Sequence, residues 1–316
     1  MDIPIGPERA GKTVRELLTG EMGYSSNLLK RLKFSENGIR VDGEWVTVRH
    51  VLREGEILSL AVEDRPEDVS PYLIPNDLPL EVLYEDEWIT AVNKPPDMPA
   101  HPSQGHHLDT VANALAYRYR DRVYVFRPVN RLDRDTSGCM LTSNTKDASY
   151  KMYAAMTGGR IAKRYLAVLD GIPEEREGAL HSYLRRKPDS VIEREECGPD
   201  DEGAKPAETR YRVLAEGDGH SLVLCSPVTG RTHQIRVQFA GIGCPVSGDS
   251  LYGEASPLIP RHALHSCRTT FPHPATGETM TVTAPLPRDM RTLCGAFGLP
   301  ADFPELPDFD ETIPSD

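Results

Sequence analysis

The sequence lacks any long hydrophobic run. No stretch approaches about eighteen consecutive apolar residues, the length that a membrane-spanning helix needs. Near the first residue, no basic segment is followed by an apolar run, so a secretion signal is not predicted either. We therefore expect a cytoplasmic protein that has no membrane partner.

Cysteine is sparse and shows no metal-binding pattern. The six cysteines are widely spaced and include no C-x-x-C pair, which argues against a zinc knuckle and fits reduced, mostly buried thiols. The histidines of HPSQGHH are joined by no carboxylate or cysteine at ligand spacing, so we interpret this segment as an exposed loop near substrate. No metal site is expected.

Positive charge is in short supply. The chain carries 36 Lys and Arg against 48 Asp and Glu, for a formal net charge of −12. The stretch from Gly298 onward has six acidic residues and no Lys or Arg, whereas KRLKFSENGIR and KRYLAV supply local positive charge. Net charge therefore neither predicts nor excludes a nucleic-acid partner.

The pattern along the 316 residues divides the chain into four parts. Two short helices and three strands, with a hairpin turn at VDGE, predict a small module over residues 1–65. An acidic, Pro-bearing linker over 66–79 precedes a large domain over 80–297. The acidic, Pro-rich residues 298–316 form a tail that we do not expect to pack.

The large domain mixes strand and helix patterns without a repeat. Helices are predicted at DTVANALAYRYR, KDASYKMYAAM and GRTHQIRVQFAG. Apolar strand patterns occur at LEVLYED, WITAVNKP, GCMLTSN, KRYLAVLDG, AETRYRVLAE and SLVLCSP. This order favours an α+β fold with a mixed, largely antiparallel sheet, preceded by the small α+β module.

One short segment points to a different function. GPERAGKT, Gly6 to Thr13, fits the phosphate-loop pattern G-x-x-x-x-G-K-[ST], and YLAVLD could supply the acid of a magnesium site. A working phosphate loop follows a buried strand, however, and only five residues, one of them Pro4, precede Gly6. A nucleotide-binding protein is therefore an alternative that depends on this local structure.

Three segments concentrate polar residues. In RPVNRLDRDTSG, Arg131 and Arg134 flank Asp133 just before an apolar strand, so the carboxylate is a candidate nucleophile or base, or else a member of a solvated salt-bridge loop. In PVTGRTHQIRVQFAGIG, basic and amide groups open a predicted amphipathic helix, which suits an anion site. In KRYLAVLDG, Tyr165 begins a strand, where a tyrosine usually packs half-buried.

Taken together, these segments resemble the RluA-type RNA pseudouridine synthases. NRLDRDTSG is similar to the family's H-R-L-D-x-x-T-S-G signature, KRYLAV to its K-x-Y segment, and TGRTHQIRVQFAGIGCPVSGDSLYG to its third motif. NKPPDMPAHPS and LHSCRTTFPHPATGE also fall where the family has related stretches. The chain departs from the pattern at Asn130, where the family has His, and at Asp97, where it has Gly. The small module resembles the alpha-L RNA-binding module shared with a ribosomal small-subunit protein.

The resemblance implies a set of roles. Asp133 would attack the target uridine at C6 or at C1′, Arg131 would fill the gap left by the flipped nucleotide, and Tyr165 would remove the C5 proton. Arg231 would pair with Asp133, while Leu132 and Ile235 would shape the base pocket. The RNA contacts would come from Lys30, Arg31, Lys33, Lys94, Arg131, Arg134, Lys163, His233, Gln234 and Arg236.

The implied reaction isomerises uridine in RNA without a cofactor, because no atom enters or leaves. Large-subunit ribosomal RNA is the favoured partner, transfer RNA is possible, and a monomer is expected. Two further alternatives remain: an inactive RNA-binding or ribosome-assembly protein of the same fold, and a glycosidase that uses Asp133 and Asp135. The last requires two carboxylates that face each other about 5 Å or more apart, which two residues on one short loop are poorly placed to do.

Overall fold

The computed structural model describes residues 1–24, 26–35, 38–302 and 309. The side chains of residues 27, 28 and 31 lie outside that description. Within the described part of the chain, no helix is long and apolar enough to cross a membrane.

The small module is a four-stranded antiparallel sheet with helices between its first two strands. The strands run in the order β1, β4, β2, β3 across the sheet. Their bounds are β1 Asp2–Pro4, β2 Ile39–Val41, β3 Glu44–Trp45 and β4 Ile57–Leu60, with helices α1 Val14–Glu16, continued by a π-helical turn Leu17–Glu21, and α2 Ser26–Phe34. The predicted hairpin at VDGE is confirmed, since Asp42 and Gly43 both have positive φ and join β2 to β3.

GPERAGKT does not form a phosphate loop. A short strand, β1, does precede it, contrary to our expectation, but β1 pairs antiparallel with β4. The backbone amides of residues 9 to 12 donate to backbone carbonyls of this module. Lys12 pairs with Glu21, and Thr13 caps α1 in a capping box with Glu16. The amides that would cradle a phosphate are therefore already engaged.

The large domain contains one ten-stranded sheet. The order is β10, β9, β11, β12, β8, β13, β7, β6, β5, with β14 paired to β13. Every pairing is antiparallel except that of β13 with β7. The bounds are β5 Glu81–Glu85, β6 Ile89–Lys94, β7 Ser137–Ser143, β8 Ala162–Asp170, β9 Glu177–Arg186, β10 Arg194–Cys197, β11 Lys205–Gly217, β12 His220–Pro227, β13 Leu264–Pro272 and β14 Thr279–Thr283. This is the mixed, largely antiparallel sheet that the sequence predicts.

Four helices cover the sheet: α3 Val111–Arg118, α4 Lys146–Thr157, α5 Gln234–Gly241 and α6 Arg288–Ala296. The first two begin at threonine caps, Thr110 and Thr145, whose side chains accept an amide of the first turn. Strands β7, β8 and β12 form the centre of the sheet and are buried along nearly their whole length. Their apolar runs are therefore explained by burial on both faces.

Two predicted elements are wrong in detail. The acidic stretch IEREECGPDDEG, interpreted as a loop, contains β10, which pairs with β9. The predicted amphipathic helix GRTHQIRVQFAG begins only at Gln234, because His233 has a left-handed backbone with φ of 58°. Helix α5 is also not amphipathic, since residues 234–239 are all buried. The mixed polar and apolar residues of α5 therefore belong to a buried helix, whose polar side chains have hydrogen-bond partners.

The small module and the large domain touch through specific pairs. Tyr24, which is buried, donates a hydrogen bond to Asp147 of α4. Asp64, beyond β4, forms an ion pair with Arg127 in the large domain, and both side chains are mostly buried. In the predicted tail, Leu299 and Phe309 are buried against the large core, which contradicts the expectation that this segment does not pack. The domain division itself stays a prediction.

Gly138 allows β7 and β13 to lie side by side, and this generates a stability prediction. Its φ is +109°, and a Cβ there would meet the Ser266 carbonyl oxygen at 2.2 Å. Gly138→Ala should therefore lower the free energy of unfolding by about 2–5 kcal/mol, through backbone strain and overpacking. The measurement is urea unfolding, with Gly219→Ala as the matched control.

Gly219 also has a positive φ, of +77°, but the space that a Cβ would occupy there is open, since beyond its chain neighbours no heavy atom of the described residues lies within 4 Å. Gly219→Ala should therefore cost only about 1 kcal/mol. Equal losses for the two variants would show that close strand approach at Gly138 does not limit stability.

Candidate active site

A cleft of about 1000 Å³ opens where several loops meet beside the central strands. Its walls come from the loop before β7, the start of β8, and the segment that joins β12 to α5. These are the three polar segments of the sequence, which the fold brings together. Asp133, Tyr165 and Arg231, the three predicted catalytic residues, all line it.

Asp133 faces two basic side chains in this cleft. The Nη1 atom of Arg236 lies 3.5 Å from its Oδ2, and the Nε2 atom of His233 lies 3.9 Å away. The Asp133 side chain is 29% exposed, so it remains open to a molecule in the cleft. A carboxylate held beside a fixed cation and still accessible can act as a nucleophile or a base.

Arg236 is fixed from behind by a second carboxylate. Its Nε and Nη2 atoms donate to the two oxygens of Asp249 at 2.6 and 2.8 Å, and Asp249 is almost fully buried. Burial alone would lower the pKa of Arg236, but the hydrogen bonds and charge of Asp249 raise it. The bidentate geometry fixes the guanidinium plane and leaves Nη1 directed towards Asp133.

The predicted partner of Asp133 is therefore corrected. Arg231 was expected to pair with it, but its Nε atom donates to the Pro206 carbonyl at 3.0 Å. Arg236, interpreted from sequence as an RNA contact, is buried and occupies the pairing position instead. The reason is that the helix begins at Gln234, so Arg236 lies on the first turn of α5 and Arg231 lies outside it.

His233 lies at the turn that starts α5. Its Nδ1 is 2.7 Å from the hydroxyl of Tyr252, whose ring meets the imidazole edge-on. Burial is the main cause that lowers the pKa of His233, and the nearby Arg236 adds to it, while the Asp133 charge opposes both. A neutral imidazole is thus favoured at neutral pH, and His233 lines the cleft; its predicted RNA contact stays a prediction.

The loop that carries Asp133 is held by buried donors from three other segments. Lys94, at the end of β6, donates to the Arg134 carbonyl, and Arg261 donates to the Asp135 carbonyl. His262 pairs with the Thr136 hydroxyl at 2.7 Å. Asn130, where the resembling family has His, accepts the Leu141 amide and so ties the loop to β7. The loop is therefore preorganised by contacts that do not touch substrate.

Lys94 is not an RNA contact, because it is fully buried. Its Nζ atom donates to the carbonyls of Pro95, Met98 and Arg134 at 2.7 to 2.9 Å. Burial lowers the pKa of Lys94 to about 7, against the charges of Asp135 and Asp133, which raise it. The side chain joins the NKP turn to the Asp133 loop.

Asp97, in that NKP turn, replaces the glycine of the resembling family. Its φ is 56°, so it keeps the left-handed backbone that a glycine would supply. The exposed carboxylate lies 3.5 Å from Arg134. The turn therefore has the conformation that glycine normally provides, despite the substitution.

Tyr165 lies in the wall of the cleft near the start of β8. Its backbone pairs with Cys225 of β12 and with Ser266 of β13. Burial raises the pKa of Tyr165, the nearby Ser266 side chain opposes this, and the Asp133 charge adds to it. The hydroxyl is accordingly protonated at neutral pH.

The remaining predicted site residues divide by exposure. Leu132 and Ile235 are buried apolar residues in the cleft wall, and Arg131 and Lys163 also line the cleft. Arg134 is exposed and pairs with Asp97 and Asp135. Gln234 is buried, with its amide engaged by Thr229, Thr209 and backbone groups, so it is not available to RNA.

The predicted contacts of the small module lie on α2. Lys30 and Lys33 are exposed there. Arg31 belongs to the same helix, but its side chain lies outside the described residues. The sequence reasoning missed Asp249, Arg261 and His262, of which only Asp249 lies within a recognised motif, SGDSLYG.

The buried Lys94 generates a pH-dependent stability prediction. A lysine whose pKa falls from 10.5 to about 7 on folding releases its proton earlier in the folded chain. Unfolding must then take up a proton between these values, so this group makes stability rise with pH across that interval. The unfolding free energy of wild type, measured relative to that of Lys94→Met, should therefore increase as pH rises from about 7.

Urea unfolding at several pH values measures this difference, and Lys205→Met, at an exposed position, is the control. The difference in unfolding free energy between wild type and Lys205→Met should not change with pH. A pH-independent difference for Lys94→Met would show that the three carbonyls keep the ammonium charged.

The chain is similar in sequence to known RNA pseudouridine synthases. Residues 89–241 match the family model described as RNA pseudouridylate synthase. The chain is 40% identical to an uncharacterized RNA pseudouridine synthase, YjbO, of Bacillus subtilis, over 89% of this chain and 98% of that protein. It is also 35% identical to the ribosomal large subunit pseudouridine synthase D of Pasteurella multocida, over 89% and 88% of the two chains.

Solved structures show the same fold. Human RNA pseudouridylate synthase domain containing 4 aligns with a TM-score of 0.58 at 22% identity, over 72% of this chain and 95% of the other. Human RNA pseudouridylate synthase domain containing 1 aligns with a TM-score of 0.54 at 27% identity, over 74% and 98%. The chain belongs to the RluA family, and it is an RNA pseudouridine synthase.

Proposed function

We propose that this enzyme isomerises specific uridines of large-subunit ribosomal RNA, with Asp133 as the nucleophile. The observation that carries the proposal is the arrangement in which Arg236, fixed by Asp249, lies beside an accessible Asp133 in the cleft. Transfer RNA is the second candidate substrate. Several relatives are named ribosomal large subunit pseudouridine synthase D, which favours ribosomal RNA.

The proposed reaction depends on a charged nucleophile. The bond between N1 of uracil and C1′ of ribose breaks, the base turns, and C5 bonds to C1′ as the C5 proton leaves. Asp133 would form a transient covalent bond with the uridine, at C6 or C1′, and would be released when the new bond forms. Arg236 would stabilise the carboxylate before attack and when it leaves.

The base must leave the RNA stack to be turned. Leu132 and Ile235 would supply apolar walls for a flipped uracil, and the exposed Arg131, which lines the cleft, would occupy the gap in the RNA. The cations that line the cleft would receive backbone phosphates, Lys163 and Arg231 among them. The cleft therefore provides both an apolar base site and charged surroundings.

Proton removal from C5 is assigned to Tyr165. Its hydroxyl is protonated, so it must give up its own proton as it accepts the one from C5. That proton would pass to solvent water in the cleft, which the Tyr165 side chain lines. The acceptor can be weak, because loss of the proton restores the conjugated uracil ring.

The nucleophile can be tested in cells. We expect at least one pseudouridine to disappear from RNA of cells that lack this protein, and to return with wild type but not with Asp133→Asn, which keeps the shape and loses the charge. The sites can be mapped with a chemical adduct that stops reverse transcriptase. If no site disappears, or if the Asn variant restores every site, the proposal is wrong.

The support of Arg236 by Asp249 can be tested in kinetics. Asp249→Asn should lower kcat about a hundredfold with a small change in KM, because the guanidinium loses its fixed direction towards Asp133. The control is Asp170→Asn, which alters a carboxylate that binds Ser247 at the other end of β8. A loss of kcat of the same size in both variants would indicate a general loss of structure instead.

A further inference from the structure

Helix α4 joins two cavities in the described part of the molecule. Lys146 and Tyr150, near its first residue, line a groove between the small module and the large domain. Met156 and Thr157, at its last turn, line the active-site cleft. Any extended molecule that leaves the cleft along α4 therefore reaches the groove.

One face of α4 connects these two ends. Residues 146, 150, 153 and 157 are spaced by four, three and four positions, which places them in one stripe along a helix. Along this stripe, Tyr153 is 58% exposed and Thr157 is exposed, while Lys146 and Tyr150 are half-buried. The stripe runs about 17 Å, since the helix rises 1.5 Å per residue. That length equals about five stacked nucleotides at 3.4 Å each.

The chemistry of the path suits a nucleic-acid strand. The groove is lined by Lys30 and Lys146, and none of its described lining residues is a carboxylate. At the other end, Asp133 is the one carboxylate among the described residues that line the cleft. In a chain with a net charge of −12, two cavities at the ends of one helix whose described linings contain a single carboxylate are favourable places for a polyanion.

Aromatic rings complete the pattern. Tyr153 on the stripe is 58% exposed, and Phe34, which is 75% exposed, lines the groove at the end of α2, while Tyr150 is half-buried against the core of the small module. Exposed rings beside lysines are the features that stack bases and neutralise phosphates in single-stranded nucleic-acid sites. Lys146 also has Asp68 3.8 Å away, a half-exposed pair that a phosphate could replace.

We propose that single-stranded RNA next to the target uridine runs along α4, stacks on Tyr153 and enters the groove at Tyr150 and Phe34. This proposal rests on the proposed function, because the strand is the one whose uridine occupies the cleft. The stripe would then set how much unpaired RNA the enzyme requires beside its target. It adds a binding surface that does not touch the reacting base.

The first test measures binding of a short fluorescein-labelled oligouridine to the full-length protein. Tyr153→Ala should weaken binding about tenfold, because one stacking platform is lost. Tyr153→Phe keeps the ring and should restore binding. The matched control is Tyr72→Ala, which removes a tyrosine that is 85% exposed and lies off this path in the linker. An oligouridine affinity of Tyr153→Ala equal to that of wild type would overturn the proposal.

The second test follows pseudouridine formation in large-subunit ribosomal RNA from cells that lack the protein. Tyr153→Ala should raise KM about tenfold and leave kcat near the wild-type value, because the ring does not reach the cleft. Lys146→Gln should reduce the slope of log affinity against log salt by about one.

These measurements separate the two proposals. If wild type forms no pseudouridine in any RNA, the proposed function fails, whatever the oligouridine shows. If wild type is active and Tyr153→Ala has an unchanged KM, the α4 surface is wrong and the function stands. If Tyr153→Ala binds RNA normally but loses a co-purifying protein, the surface serves a protein partner and the RNA proposal is overturned.

Discussion

The structure of this site depends on one buried guanidinium that two carboxylates share. Arg236 is held in the plane of Asp249 by two short hydrogen bonds, and its remaining nitrogen faces Asp133. A buried cation must be neutralised, and Asp249, which is almost fully buried, does this from the interior. Asp133 is then free to stay partly exposed at the cleft. This division of roles gives the carboxylate a fixed cationic neighbour without closing it off from substrate.

The rest of the site preserves that geometry. The Asp133 loop receives hydrogen bonds from Lys94 and Arg261, whose side-chain nitrogens are buried among backbone carbonyls. Arg261 is in turn paired with Asp289 of α6, so the last helix of the described fold is tied to the loop. Gly138 allows the parallel contact of β7 with β13 next to the loop. Positions distant in the sequence therefore fix one short segment.

The fold class and the position of Asp133 could be predicted from the sequence, because long apolar strands and contiguous motifs record local structure. The partner of Asp133 could not. Arg231 and Arg236 lie in the same basic segment, and which of them faces Asp133 depends on His233, whose left-handed backbone delays the start of α5. Lys94 was interpreted as an RNA contact from the family resemblance, and its burial among three carbonyls depends on tertiary structure that the sequence does not show. Strand β10 was interpreted as a loop because its residues are mostly charged. It is a strand because it pairs with β9, a contact that its own residues do not reveal.

The central claim is that the Asp133 carboxylate is the nucleophile of uridine isomerisation. The most direct test measures the release of the hydrogen on C5 of uridine. That hydrogen must leave uridine as C5 bonds to ribose, so RNA with tritium at C5 of its uridines should release tritium to water. We expect purified enzyme to release tritium from large-subunit ribosomal RNA made in cells that lack the protein. The amount of tritium released should equal the amount of pseudouridine formed, and no tritium should be released by Asp133→Asn, in which an amide replaces the carboxylate. Tritium release that persists without the carboxylate would contradict the account.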